Sequence, residues 1–146
     1  MRLAHRVPTS ATPAQVWELL SDPRAWPTVV VSLRGVRGAH GRVAAGQRLM
    51  ALARFSLVAI PVDVVEVVPE QRLVLLVHTA PGLREQLTFE LTQSVRGGSD
   101  IAVSLVLDGP LARPALLPMW LAHGLTARLL AARTDRLARQ LRRQAA

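Results

Sequence analysis

One stretch of the sequence decides the fold of this chain: PALLPMWLAHGLTARLLAARTDRLARQLRR, at residues 114–143. Its apolar residues recur at steps of three and four, which places them along one stripe of an α-helix. The stripe is predicted to contain Leu116, Trp120, His123, Ala127, Leu130, Thr134, Leu137 and Leu141. Proline is tolerated only in the first turn of a helix, so the helix is predicted to start near Pro114 or Pro118. From Pro118 to Arg143 it would measure about 39 Å, which is enough to cross a whole sheet.

A short helix and at least six strand-like segments accompany this long helix. Thr12 before Pro13 is a typical helix start, because a hydroxyl caps free N–H groups and proline suits the first helical position. This helix is predicted to end near Ser21, with one further turn between Pro23 and Pro27. Strands are predicted from β-branched and alternating patterns at Arg2–Val7, Val29–Val36, Gln47–Ala53, Ile60–Val68, Arg72–His78, Leu83–Leu91 and Ile101–Leu107.

This order of elements predicts an α+β fold in which a curved antiparallel sheet wraps around the long C-terminal helix. A chain of 146 residues buries roughly 68–70% of its unfolded surface, which suffices for one core without cross-links. Residues 1–146 are therefore predicted to form a single domain. The space between the sheet and the last helix is a natural ligand cavity.

Composition excludes several kinds of site. The chain has no cysteine and no tyrosine, so it has no disulfide, no thiolate metal site and no phenol to donate a proton. The histidines at positions 5, 40, 78 and 123 have no second histidine three or four residues away, and no metal is expected. The glycine-rich stretch 35–46 lacks the Gly-Lys-Ser/Thr ending of a phosphate-binding loop. No cofactor is expected.

Positive charge is concentrated near the C-terminus. The net charge is +8, all 18 basic residues are arginine, and residues 109–146 contain seven arginines and one aspartate. The favoured interpretation is a solvated polar face. The alternative is a contact with nucleic acid or an anionic membrane. Of these two, we expect no specific nucleic-acid partner and only a weak membrane contact. Residues 1–10 do not form the apolar run of a signal peptide, so a cytoplasmic location is expected.

Four segments together resemble a known superfamily. They are residues 12–23 with Trp26-Pro27, Gly46 before a strand, residues 64–73 with Pro69, and residues 108–111 before the last helix. In this order and spacing they resemble the START-like (SRPBCC) ligand-binding proteins, and within them the polyketide cyclase/dehydrase-like branch. The resemblance implies a helix-grip fold with an internal cavity. It does not imply one activity, since relatives include lipid carriers, hormone binders and aromatase/cyclases.

Seven residues are candidates for the cavity lining. Trp120 and His123 share the helix stripe, and His78 ends an apolar strand, where imidazoles could orient a ligand carbonyl or hydroxyl or shuttle a proton. The alternative for each histidine is a hydrogen-bonded place in the core. Met50, Phe55 and Phe89 are predicted to form the apolar wall.

Glu85 is the seventh candidate, because strict alternation places it on the same face as Leu83, Leu87 and Phe89, where an unpaired carboxylate would be costly. Two explanations remain open. Arg54 or Arg128 neutralises it, or a bulge near residues 81–82 turns it outward.

Three functions are compatible with these features. The leading hypothesis is a non-catalytic protein that binds a hydrophobic small molecule, such as a lipid, polyketide or isoprenoid, in the cavity. The second is a polyketide aromatase/cyclase or dehydrase-type enzyme, which requires His78, His123 and an arginine to converge on one pocket. The third is a surface binder that uses the arginine-rich C-terminal helix on membranes or nucleic acid.

Overall fold

The computed structural model describes residues 2–145 as one antiparallel sheet with two α-helices. The strands are β1 (Arg2–Thr9), β2 (Leu33–Arg37), β3 (Arg48–Ala53), β4 (Ala59–Val68), β5 (Arg72–Ala80), β6 (Leu83–Gln93) and β7 (Ser99–Asp108). The helices are α1 (Pro13–Leu20), a 3₁₀ helix (Pro23–Thr28) and α2 (Ala112–Ala145).

The sheet is a meander that is extended by the first strand. Its order is β1-β7-β6-β5-β4-β3-β2, and every neighbouring pair is antiparallel. Since β1 and β2 lie at opposite edges, α1 and the 3₁₀ helix bridge the sheet from one edge to the other. The curved sheet wraps around α2, so the predicted α+β helix-grip fold is confirmed.

The first helix forms as the sequence predicts. The Thr12 hydroxyl accepts from the Gln15 N–H at 3.2 Å, and the Gln15 side chain accepts from the Thr12 N–H at 3.0 Å, which is a complete capping box. The Trp26 indole N–H donates to the Leu20 carbonyl at 2.8 Å. This bond holds the 3₁₀ helix against the end of α1.

The sequence predicts a strand at Val29–Val36, but the first half of this segment is not a strand. Val29 and Val30 both donate their backbone N–H to the Trp26 carbonyl, and the Leu33 N–H donates to the Val30 carbonyl. These bonds form a turn, so β2 begins only at Leu33. The β-branched run thus enters a loop, because the preceding 3₁₀ helix takes the hydrogen bonds that a strand would need.

Helix α2 is longer and packs differently than predicted. It has 34 residues and begins two residues before Pro114, with Pro118 in its interior. Ala127, Leu130 and Thr134 are buried as predicted, whereas Leu137 and Leu141 are exposed. Small side chains carry most of the contact, since a Cβ at Gly124 would lie 2.8 Å from Cε1 of His5 on β1. Helix α2 therefore approaches β1 closely at Gly124.

A cluster of hydrogen bonds joins the end of β1 to α2. Asp135 Oδ1 accepts from the Ser10 backbone N–H at 2.5 Å, the Ser10 hydroxyl at 2.8 Å and the Thr9 hydroxyl at 2.8 Å. Partial burial raises the pKa of the Asp135 carboxyl, but these hydrogen bonds and the nearby charge of Arg139 outweigh burial and hold it below its usual value. The cluster therefore favours an ionised Asp135.

Asp135→Asn should destabilise the fold by about 1–2 kcal/mol at neutral pH, because it removes a charged acceptor of three hydrogen bonds. The pKa of Asp135 is lowered in the folded state, so its stabilising effect is full above the unfolded pKa of about 3.9. The effect is lost as pH falls through the folded value. Urea unfolding at a series of pH values should show the two proteins converging in acid. Glu90→Gln is the control, at a half-exposed position 3.7 Å from Arg72, and it should cost less than about 0.5 kcal/mol. If the stability difference between the wild type and Asp135→Asn stayed constant at all pH values, the assigned role of the Asp135 charge would be contradicted.

Candidate ligand site

An apolar cavity of about 360 Å³ lies between the inner face of the sheet and α2. Its walls come from the turn at residues 29–33, from inward-facing residues of β3 to β6, and from α2. Val31, Phe55 and Leu125 line the cavity and are also exposed. These three residues therefore mark its mouth.

Glu85 and His123 are the ionisable residues among the described cavity-lining side chains. They contact each other, with 3.3 Å between His123 Nε2 and Glu85 Oε2. The His123 side chain is 14% exposed and the Glu85 side chain is 7% exposed. A carboxylate oxygen accepts, so the tautomer that fits this contact carries its proton on Nε2 of His123, which donates it to Glu85. The pair thereby satisfies a carboxylate that would be costly to bury alone.

Strand β6 places Glu85 inside by regular alternation. Its register partners are Val77 on β5 and Leu107 on β7, and no irregularity occurs in its own strand there. The sheet irregularity lies instead in β5, between Val77 and Ala80. Both explanations predicted for Glu85, an outward turn and neutralisation by Arg54 or Arg128, are therefore wrong. A histidine from α2 is its partner.

Two polar atoms of the lining lack partners. In the part of the chain described, three buried side-chain polar atoms have no hydrogen bond, and two of them, His123 Nδ1 and Thr79 Oγ1, belong to cavity-lining residues. Buried polar groups in folded proteins are nearly always bonded. An occupant of the cavity is thus the natural source of the missing partners.

Four of the seven predicted lining residues do line the cavity: Phe55, Glu85, Phe89 and His123. Met50, His78 and Trp120 are not among the residues that line it. Met50 is next to Ala51, which faces the cavity, and neighbouring strand residues point to opposite faces. His78 likewise follows the inward-facing Val77.

Trp120 is rotated away from the cavity, toward β1. The cavity-facing residues of α2 are Met119, Ala122, His123, Leu125, Thr126 and Leu130. Trp120 instead packs its indole on the His5 ring at 5.1 Å between centroids, and its carbonyl accepts from His5 Nε2–H at 3.0 Å. Trp120 therefore packs between α2 and the edge strand β1.

His78 belongs to a separate ion cluster on the outer face. Its Nε2 donates to Asp63 Oδ2 at 2.9 Å, and Arg48 donates to both oxygens of Asp63 at 2.7 and 3.0 Å. The hydrogen bonds from Arg48 first and His78 second hold the pKa of the Asp63 carboxyl well below its usual range. The cluster is partly exposed and has no contact with Glu85 or His123.

A second concavity, an open groove of about 640 Å³, lies at the ends of β4 to β7. Pairing of β4 with β5 stops at Val62 and Val77, so the two strands separate there. The groove is larger than the cavity but more open to solvent. Of its ionisable groups, Arg84 and Asp108 are exposed and His78 is partly exposed. The less open cavity with the buried pair is therefore the better ligand site.

Several lining residues were not identified from the sequence. They include Val29 to Val31, Thr79, Met119 and Thr126. The helix stripe Met119–His123–Thr126–Leu130, with steps of four, three and four, was a readable signal for the α2 wall. The contribution of the turn at residues 29–33 was not readable, since it depends on the 3₁₀ helix that precedes it.

A sequence profile described as "Polyketide cyclase / dehydrase and lipid transport" matches residues 2–145. The chain belongs to this family. The predicted resemblance to the START-like superfamily is thereby confirmed. Members of the polyketide cyclase/dehydrase and lipid-transport family bind hydrophobic small molecules in general. No curated protein matches the chain.

Solved structures share the fold of this family member. Protein MLL2253 from Mesorhizobium loti is similar with a TM-score of 0.77 and 20% identity over 93% of this chain and 98% of that one. A protein of unknown function, SA2116 from Staphylococcus aureus, has a TM-score of 0.76 and 10% identity over 96% of each chain. Ara h 8.0201 has a TM-score of 0.72 and 11% identity over 92% and 97%. At these identities the likeness extends to the fold alone.

Proposed function

We propose that this protein binds an apolar small molecule of lipid, polyketide or isoprenoid type in the cavity and retains it without converting it. The observation that carries the proposal is a mostly apolar cavity whose two ionisable lining groups are bonded to each other. Its volume of about 360 Å³ is at the small end for ligand sites. A compound with one or two rings, or a short acyl chain, therefore fits better than a whole phospholipid.

The proposal is tested with the purified chain. Native mass spectrometry should reveal a co-purifying small molecule that is lost on denaturation. Isothermal titration calorimetry with 2-naphthol, a two-ring probe, should show saturable one-to-one binding with a negative heat-capacity change, the mark of apolar burial. Absence of both a co-purifying molecule and probe binding would contradict the proposal.

A proton-transfer enzyme is the second candidate, and the Glu85–His123 pair is the observation that favours it. A histidine polarised by a carboxylate can act as a general base. The constellation expected from the sequence is not present, because His78 lies on the outer face and no arginine is among the described residues that line the cavity. Any catalysis would therefore rest on His123 with Glu85 as its positioning residue.

This enzyme candidate has a direct assay. The substrate 3-hydroxy-1-tetralone loses water to give 1-naphthol, as a proton leaves the ring carbon and the hydroxyl departs with a proton. If His123 is the base, 1-naphthol fluorescence should appear faster with the wild type than with His123→Gln by at least about tenfold, the low end for general-base catalysis. Equal rates for the two proteins and for buffer would favour retention without catalysis.

A membrane contact is favoured by exposed apolar residues beside the mouth. Helix α2 is long and apolar enough to span a bilayer by length and composition, and 28% of its most apolar window is buried. Leu117, Leu121 and Leu125 form an exposed stripe at steps of four, and Phe55 at the mouth is 83% exposed. With a net charge of +8, we propose that this stripe rests on anionic lipid while the ligand is exchanged.

Vesicle sedimentation distinguishes a membrane contact through this leucine stripe from one through the arginine-rich end of α2. The wild type should sediment with phosphatidylglycerol vesicles, and replacing all three leucines by glutamine should abolish sedimentation. Deletion of residues 139–146 should leave most of it. The reverse pattern, with loss on deletion and retention in the glutamine variant, would assign the contact to the arginines instead.

A further inference from the structure

The hydrogen bond between Glu85 and His123 dictates what the cavity can recognise. Nε2 of His123 carries the proton that it donates to Glu85 at 3.3 Å. In a neutral imidazole the other nitrogen then has a lone pair and no proton. Glu85 therefore sets Nδ1 of His123 as a hydrogen-bond acceptor. That atom is buried and has no partner among the described residues.

We propose that the cavity selects apolar molecules that carry a hydroxyl group, which donates its hydrogen bond to Nδ1 of His123. This inference rests on the proposed binding function and specifies its ligand class. A ketone or ether offers only lone pairs, which would face the lone pair of Nδ1 and leave that nitrogen without a donor. A hydroxyl supplies the missing donor, and sites built to bond a polar group reject analogues that lack it.

Thr79 gives the hydroxyl a second neighbour on the same wall. It lies two residues beyond Val77, the register partner of Glu85, and its hydroxyl is also buried without a partner. A threonine hydroxyl both donates and accepts, so it is compatible with a ligand hydroxyl. The unmet polar atoms of the lining are thus complementary to a group that donates and accepts at once.

The test uses three naphthalene probes under the same buffer conditions. They are 2-naphthol, naphthalene and 2-methoxynaphthalene. By hydrophobicity alone the last two should bind more tightly. We expect the opposite, with 2-naphthol bound at least about tenfold more tightly than either, which is about 1.4 kcal/mol.

Matched variants locate the origin of this preference. In His123→Gln the side-chain amide reaches the place of Nε2 and can still donate to Glu85, but it has no acceptor at the place of Nδ1. The ratio of affinities for 2-naphthol and 2-methoxynaphthalene should fall to about one or lower. His123→Asn places an amide oxygen near the position of Nδ1, so part of the ratio should return.

Glu85→Gln tests the positioning role of the carboxylate. A glutamine amide can donate to Nε2, which releases the tautomer whose Nδ1–H is a donor. The ether should then gain affinity relative to the naphthol. Since both probes are measured on the same variant, a general loss of stability changes both affinities and leaves their ratio unaffected.

The outcomes distinguish this inference from the proposed function. Equal binding of the three probes to the wild type, or an unchanged ratio in His123→Gln, would overturn the hydroxyl selection and leave the binding function in place. Failure of all three probes to bind would overturn the hydroxyl selection, and together with the absence of a co-purifying molecule it would overturn the binding function as well.

Discussion

Ala51→Trp should weaken binding of 2-naphthol by about a hundredfold or more, because the indole would occupy the space that the probe needs. Ala51 is buried on the inner face of β3 and lines the cavity. Overpacking of a core usually costs about 1–3 kcal/mol. Here the added side chain has a void to enter, so the fold should survive. Calorimetry with the probe and thermal unfolding measure the two effects separately.

Met50→Trp is the matched control for this prediction. Met50 is next to Ala51 on β3 but does not line the cavity. The same side chain added there should leave probe binding within about twofold of the wild type. Equal loss of binding in the two variants would mean that tryptophan disturbs β3 as a whole, and full binding by Ala51→Trp would place the ligand elsewhere.

Gly98→Ala should destabilise the fold strongly, by about 3–5 kcal/mol. Gly98 lies in the turn between β6 and β7 with φ +78°, a conformation that disfavours any Cβ. The new Cβ would also overlap the Thr9 carbonyl oxygen and lie 3.0 Å from Ser10 Cα. Thr9 and Ser10 carry the hydrogen bonds to Asp135, so a shift there loosens the link between β1 and α2.

Gly97→Ala separates the two causes of that loss. Gly97 has φ +83°, but a Cβ there would have no atom within 4 Å. It should therefore cost only the backbone penalty of about 1–2 kcal/mol. Urea unfolding of both variants gives the comparison. Equal losses would show that backbone conformation, and not the contact with β1, decides the cost at Gly98.

Local patterns predicted most elements because their causes are local. The capping box at Thr12 and Gln15 involves neighbours in sequence, and alternation along β6 needs no knowledge of other strands. The inward direction of Glu85 followed from that alternation alone. The turn at residues 29–33 was predicted wrongly, because its β-branched residues favour a strand and only the bonds to Trp26 forbid one.

The lining of the cavity was predictable where one strand decided it and not where two elements met. The inward direction of the Phe89 and Glu85 side chains follows from the alternation along β6. Trp120 and His123 share the same predicted stripe, yet Trp120 packs on His5 and His123 faces the cavity. The rotation of α2 about its axis separates them, and that rotation depends on the approach of Gly124 to His5.

The sequence by itself determined the order of elements, the inward sides of β6 and β7 and the presence of one long helix to fill the sheet, since hydrophobic periodicity and caps act within each segment. Only the tertiary structure decided that Glu85 is paired with His123, 38 residues apart, and that Met50, His78 and Trp120 face elsewhere. Side-chain partners across a cavity depend on helix rotation and strand register together, and packing of the whole chain sets both.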